Sequence, residues 1–370
     1  MKRQSVLNDR HRALGSKLDS EIWNMPIPQS YSTDPYAEAL AVRSAAGLFD
    51  ISALNIVNVS GPDAADVLDR LAPIDVKAMR NGTARLAALV NDKGQLSDDL
   101  MIIRDGENAF RLSHGGGNTQ EQLAHVAEGR DVRWEQNFDV HMMSLQGPRA
   151  AAILKGHIDT DVATLPYFEH RSTKLFGRPV ILSRGGYSGE EGFEISCASA
   201  DAVAIWDALM DTGKPHGLMA ASWDALEIVR VEAGLLFFPF DMPEGDTTPW
   251  EVNLGWAIDA DKQSDYIGKQ ALLASRGKER FFQAGVSVKA DRAVEAGAQI
   301  TVDGKDAGVV TSTMFSQHLM QSLALVHLKP EYRALGTRIE IADSQGTCTG
   351  YVTRTPFYDP QRIRTRVQGV

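Results

Sequence analysis

Asn91-Asp92-Lys93-Gly94 stands between two apolar runs, residues 86–90 and 100–103. A turn-forming tetrapeptide in that setting leaves the chain little choice but a β-hairpin. Successive residues of a strand face opposite ways, so Asp98 and Asp99, where the second strand begins, are sent to opposite faces. A carboxylate facing inward beside an apolar strand is costly unless it has a partner or a task. Two readings follow from the spacing: both acids finish the turn in water, or one of them serves a site.

The rest of the chain sets this hairpin in an α+β frame. A helix is expected around residues 11–18, and a second over 35–46 with Gly47 as its stop. Strand-like stretches follow at 48–52 and 55–59. Gly61-Pro62-Asp63 then opens a helix over 64–71, with proline suited to its first turn. After the hairpin come a strand at 109–113, the segment His114-Gly115-Gly116-Gly117-Asn118 and a helix at 119–128. This order makes an α+β half-domain, not a doubly wound sheet. Ser60-Gly61-Pro62-Asp63-Ala64-Ala65 is echoed by Gln146-Gly147-Pro148-Arg149-Ala150-Ala151, again strand, Gly-Pro, helix, which suggests two related α+β units. Helices at 200–210 and 220–233 precede a strongly apolar run at 235–240. Beyond residue 275 the pattern changes to short strands at 284–288, 299–302, 309–313, 322–328, 339–341 and 349–353, as in a small β-barrel or sandwich. At 370 residues two or three domains are expected. No long linker separates them, so the modules should pack with a pocket where they meet.

Several functional classes are set aside. No apolar run reaches the roughly 20 residues needed to span a bilayer. The charged N-terminus has no hydrophobic stretch behind it, so a secretory signal is not expected. Cys197 and Cys348 are the only cysteines and show no metal or pairing pattern, which fits a reducing cytoplasm. A formal charge of -10 argues against general nucleic-acid binding and against an anionic membrane surface. The histidines are scattered, so no metal site is expected. No Gly-X-Ser-X-Gly elbow occurs.

Two other stretches could carry chemistry. Residues 185–192 form a glycine-rich loop with neither a following Lys-Ser/Thr nor a βαβ context, so it is not a phosphate or dinucleotide loop. Its glycines would let a flat or bulky group approach the backbone. Tyr187 could stack on a ring, and Glu194 on the next strand could accept two parallel N–H bonds from an amidine-like edge. A plain hairpin with a charged tip is the competing reading. Residues 236–242 are the densest apolar patch, either core or pocket lining. Trp23, Phe238, Phe240 and Trp250 are the candidate lining aromatics.

Taken together, the motifs resemble the folate-binding T-protein (aminomethyltransferase) family of the glycine cleavage system, nearly end to end. The likeness rests on Ala46-Gly47-Leu48-Phe49-Asp50, Ser60-Gly61-Pro62-Asp63-Ala64, Asn91 through Leu100, and Leu145-Gln146-Gly147-Pro148. It continues in Gly186-Tyr187-Ser188-Gly189-Glu190-Glu191-Gly192-Phe193-Glu194 and Arg230-Val231-Glu232-Ala233-Gly234. Thr247-Thr248-Pro249, Tyr266-Ile267-Gly268-Lys269, Thr311-Ser312 and Pro356-Phe357-Tyr358 complete it. The resemblance implies a three-module cloverleaf of class α+β with a central folate-binding opening. It would comprise two interleaved α+β modules (1–54 with 140–226; 55–139 with 227–275, ferredoxin-like) and a C-terminal small β-barrel (276–370). It places Asp99 near the reactive nitrogens of folate, Glu194 on the pterin edge, Tyr187 against the ring, and Arg362 near the glutamate tail. His114 falls where the family usually has an asparagine.

The departures from the pattern bear on the donor. The family's Asp-Val-Ser-His-Met is Asp50-Ile51-Ser52-Ala53-Leu54 here, an expected arginine is missing at Ala225-Leu226-Glu227, and a polar stretch has become Phe238-Pro239-Phe240. These changes remove polar groups where the family meets its aminomethyl-lipoyl donor, so a lipoylated carrier protein is not the expected partner. The expected activity is a cytoplasmic, tetrahydrofolate-dependent methyltransferase or demethylase. It would move a methyl group from a small aryl methyl ether, sulfonium or methylated amine to N5, with Asp99 and His114 as the catalytic residues. The alternatives are true aminomethyl transfer and a non-catalytic folate-binding regulatory protein.

Overall fold

The structure is a computed structural model that describes residues 3–365. The outermost residues of the expected first and third segments, 1–2 and 366–370, lie outside the described residues. The chain divides into two units, each discontinuous in sequence: residues 3–55, 137–235 and 361–365 form one, and residues 56–136 and 236–360 the other.

The first unit is built on a six-stranded sheet. Its order is His170–Leu175, Arg178–Arg184, Gly192–Ala198, Val140–Gln146, Ala46–Asp50 and Leu218–Ala220. The last pair is parallel, and the pairings from His170–Leu175 through Ala46–Asp50 are antiparallel. Phe193, Ile195 and Cys197 point into the core with Leu48, Met143 and Leu145. Strand alternation therefore turns Glu194 and Ser196 to the opposite face. Helix Pro35–Ser44 starts on Asp34, whose carboxylate accepts the Tyr36 N–H at 3.1 Å, with Pro35 in the first turn. It ends earlier than its sequence pattern suggests. Gly47 is a strand residue instead of a helix stop, and the position requires glycine, since a Cβ there would lie 2.5 Å from Val42 Cγ2. The glycine lets the helix pack close on its own following strand.

The second unit holds a five-stranded sheet and a barrel. Sheet order is Thr83–Val90, Leu96–Gly106, Ala109–His114, Asn55–Ser60 and Arg133–Gln136. Helices Ala64–Leu71 and Thr119–Ala127 contribute Val67, Leu68 and Leu123 to the core on one face, with Ala87, Leu89, Leu100 and Ile102. The Gly-Pro echo is visible in the backbone. Gly61 and Gly147 share φ +131, and at each a Cβ would lie 2.6 Å from a carbonyl oxygen, that of Asp131 or Ala45. The C-terminal strands close into a six-stranded barrel rather than a sandwich. Its order is Phe282–Val288, Gln321–Leu328, Lys305–Ser316, Gln299–Val302, Arg338–Asp343 and Gly346–Thr353. Its interior is filled by Val286, Ile300, Val310, Val326, Ile339 and Ile341. Among the described residues no helix is long and apolar enough to cross a membrane.

Candidate functional site

In the second unit, Asn91 shapes the hairpin turn. Its side-chain oxygen accepts the N–H of Lys93 at 2.9 Å and of Gln95 at 3.1 Å. Gly94 takes φ +73, and a Cβ there would strike the Leu272 backbone at 2.4 Å. Asp98 lies opposite Leu89 and Asp99 opposite Ala88, so the two acids leave the strand on opposite faces. Asp98 is fully buried and fully engaged. Its Oδ2 accepts the Thr119 hydroxyl at 2.5 Å and sits 3.0 Å from His114 Nδ1, and its Oδ1 accepts the Asp99 N–H at 2.9 Å. Gly117 explains part of the His-Gly-Gly-Gly-Asn segment, since a Cβ there would lie 2.4 Å from both Asp98 Cγ and the Ser97 carbonyl.

Asp99 is half-buried on the other face, beside Ala88, which packs with Phe238, Met242 and Leu96. Among the described residues no group from elsewhere in the chain donates to its carboxylate. Burial, and then the charge of Asp98, push Asp99 up to about 7, against the pull of its own backbone N–H. His114 and Asp99 do not share a face. The imidazole is buried behind the sheet with Asp98, which gives it the task of holding that carboxylate and no access to chemistry beside Asp99.

In the first unit, Glu194 stands between Ser144 and Ser183 on its two neighbouring strands. It is half-buried, and among the described residues nothing donates a hydrogen bond to it. Burial pushes it up to about 7. Tyr167 lies within its electrostatic reach, in a loop that sequence reasoning passed over. Burial and the Glu194 charge raise that phenol, while Arg362 and Arg184 pull it down. Glu194 and Arg362 each lie within electrostatic reach of Tyr167, and Tyr187 is half-buried in the glycine-rich loop. The Tyr167 ring lies beside that of Phe168, centroids 4.4 Å apart.

The glycines of that loop make room for a group of the protein itself. A Cβ on Gly186 or Gly192 would lie 2.1–2.2 Å from the Gln146 amide. That amide accepts Ser188 Oγ at 2.6 Å and donates to Ser144 Oγ at 2.9 Å and to the Gly185 carbonyl at 3.0 Å. Arg43 anchors the loop from beneath. It donates to Ser188 O at 2.8 Å and pairs with Glu190 at 3.3 Å and Glu232 at 2.8 Å, all fully buried.

The candidate aromatics scatter. Trp23 sits edge-on to Trp223 at 6.1 Å in the first unit. In the second, Phe238 is core, Phe240 is 67% exposed, and Trp250 is tied to the Leu272 carbonyl through its indole N–H at 2.8 Å. Sequence reasoning also missed the buried cluster around Asp50. Burial alone would raise that carboxyl, yet His141, His11 and Ser5 hold it well below the usual carboxylate range. Among the described residues no group of three His, Cys, Asp or Glu side chains could hold a metal ion.

Two α+β sheets, each assembled from separate stretches of sequence, and a closed C-terminal barrel define the class of architecture, and the comparisons make the assignment. A family model described as the GCVT N-terminal domain matches residues 7–262, and one described as the Glycine cleavage T-protein C-terminal barrel domain matches residues 283–359. The chain belongs to the glycine cleavage T-protein family. It is 37% identical to the heme-dependent oxidative N-demethylase gamma subunit of Ectopseudomonas mendocina, over 99% of each chain. It is 34% identical to the aminomethyltransferase of Saccharopolyspora erythraea, over 96% of this chain and 98% of that one. The crystal structure of glycine cleavage system aminomethyltransferase T from Bartonella henselae superposes with a TM-score of 0.89 at 27% identity, covering 97% of this chain and 99% of that one.

Proposed function

We propose that this chain moves a one-carbon unit from a methylated amine to N5 of tetrahydrofolate. The observation that carries the reading is Glu194 in the first unit, half-buried, without a donor among the described residues and raised to about 7; Asp99 in the second unit, taken by itself, is in the same condition. Such groups await a ligand that supplies N–H bonds. The amidine-like edge of a pterin offers two parallel donors, which fits Glu194. Tyr187 would pack against the ring, and Arg362 would meet the glutamate tail. Tetrahydrofolate supplies a nucleophilic N5 when bound. Asp99, whose proton affinity is near neutral, would take the proton that N5 sheds as its new carbon bond forms. A cationic methylated amine leaves as a neutral amine when its carbon–nitrogen bond breaks, so no general acid is required and His114 is not needed. Alignment of nucleophile, carbon and leaving group would be the protein's main contribution, on the order of 7–11 kcal/mol.

The amine is chosen among the donor classes because the Ectopseudomonas relative is named for N-demethylation. Leu226, buried in helix Trp223–Glu232 where the family carries an arginine, speaks against a lipoyl-borne donor. The test mixes protein and tetrahydrofolate with a methylated amine, a sulfonium or an aryl methyl ether, and identifies the folate product by mass. 5-Methyltetrahydrofolate from the amine is expected; its absence from all three mixtures refutes methyl transfer. The second reading, aminomethyl transfer, is favoured by relatives named aminomethyltransferase. It predicts ammonia release only when an aminomethyl-lipoylated carrier is supplied.

A further inference from the structure

The C-terminal segment of the first unit carries an arginine that the one-carbon reading leaves idle. Arg364 Nη1 lies 3.6 Å from Glu190 Oε2. Glu190 belongs to the glycine-rich loop that carries Tyr187, and its side chain is fully buried, whereas that of Arg364 is 47% exposed. The two oxygens of this carboxylate are shared out. Oε1 faces Arg43 at 3.3 Å, and Arg43 also serves Glu232 at 2.8 Å. Arg364 thus brings a second cation to two buried acids that hold one guanidinium between them. An ion pair between exposed partners contributes little. One that ends on a desolvated carboxylate counts for more, because its loss leaves a buried charge less compensated.

The same contact touches both sides of the candidate pterin site in this unit. On the loop side, the Glu190 N–H donates to Ser188 Oγ at 3.1 Å, and that hydroxyl donates to the Gln146 amide at 2.6 Å. Tyr187 is the residue just before Ser188, so a fixed Glu190 helps to fix it. On the tail side, the Thr365 hydroxyl donates to the Arg362 carbonyl at 3.4 Å and closes a turn over residues 362–365. Arg362 itself is held at φ +53, which a residue with a side chain adopts only where its surroundings impose it. Within so short a turn, anchoring Arg364 anchors Arg362, whose charge reaches Tyr167. We infer that Arg364 is a positioning residue: docked on Glu190, it latches the C-terminal turn to the glycine-rich loop and so aims Arg362 at the acidic tail of the bound folate. The ligand in this inference rests on the folate reading above; the latch does not.

The test follows trypsin cleavage after Arg362 by mass in the ligand-free full chain, and tetrahydrofolate binding by calorimetry. Arg364→Met should speed that cleavage about tenfold and weaken tetrahydrofolate binding about tenfold, with little change in melting temperature. Arg364→Lys keeps the charge and should recover most of both. Arg362→Met should weaken binding by itself, and adding Arg364→Met to it should cost little more, because the two act through one contact. Cleavage of Arg364→Met at the native rate overturns the latch. Faster cleavage with unchanged tetrahydrofolate affinity, or fully additive losses in the double variant, overturns the positioning role. If the native chain binds no tetrahydrofolate while the cleavage result holds, the folate reading fails and the latch stands.

Discussion

Glu194→Gln should make the ligand-free protein more stable, and by an amount that depends on pH. The carboxyl titrates near 4.5 in an unfolded chain and near 7 in the fold. Between those values the folded state holds a proton that the unfolded state has released, so stability falls as pH rises through this window and levels off above it. A displacement of that size corresponds to about 3 kcal/mol when the group is ionised in both states. Glutamine never ionises, so the substitution should be nearly neutral at pH 4.5 and stabilising by up to about 3 kcal/mol at pH 8. Urea unfolding of both proteins at the two pH values measures the difference directly. Saturating tetrahydrofolate should reverse the order at pH 8, because the native carboxylate then gains the donors it lacks while glutamine presents an NH₂ to them. If Glu194→Gln is destabilising, or equally so at both pH values, the carboxylate already has a partner. The argument that it waits for a pterin edge then fails.

Asp99→Asn should lower single-turnover methyl transfer about a hundredfold or more while changing the tetrahydrofolate dissociation constant far less; an equal loss in both would make it a binding residue only. Arg43→Met leaves Glu190 and Glu232 buried without their shared cation and should cost about 3–5 kcal/mol by urea midpoint, with Arg43→Lys recovering part of it. Gly117→Ala drives a methyl into Asp98 and the Ser97 carbonyl, so a loss of about 1–3 kcal/mol is expected, accompanied by a shifted His114 imidazole signal in NMR.

The α+β order, the hairpin and the six strands of the barrel were legible because each is local: turn chemistry and strand alternation depend on neighbours in sequence. The separation of Asp98 from Asp99 was legible for the same reason. Which of them faces the helices was not, since it depends on Thr119 and His114 arriving from distant positions. The glycine-rich loop shows the limit most clearly. Close backbone approach was readable, but the approaching group is Gln146, thirty-nine or more residues away in sequence, and composition points equally to a ligand. The apolar run 235–240 was readable as apolar but not in its split fate, with Phe238 inside and Phe240 in water. Tyr167 escaped because nothing in its own segment says that it will meet Glu194.

The adjacency of Asp98 and Asp99 has a remoter consequence. Thr119 and His114 hold the Asp98 carboxylate at the rear of the strand, and its charge is one reason its neighbour clings to a proton at the front. Changes around helix Thr119–Ala127, on the opposite face of the sheet from Asp99, therefore reach the acidity of Asp99 through the thickness of a single strand. Evolution could retune the acidity of Asp99 without touching a residue on its own face of the sheet.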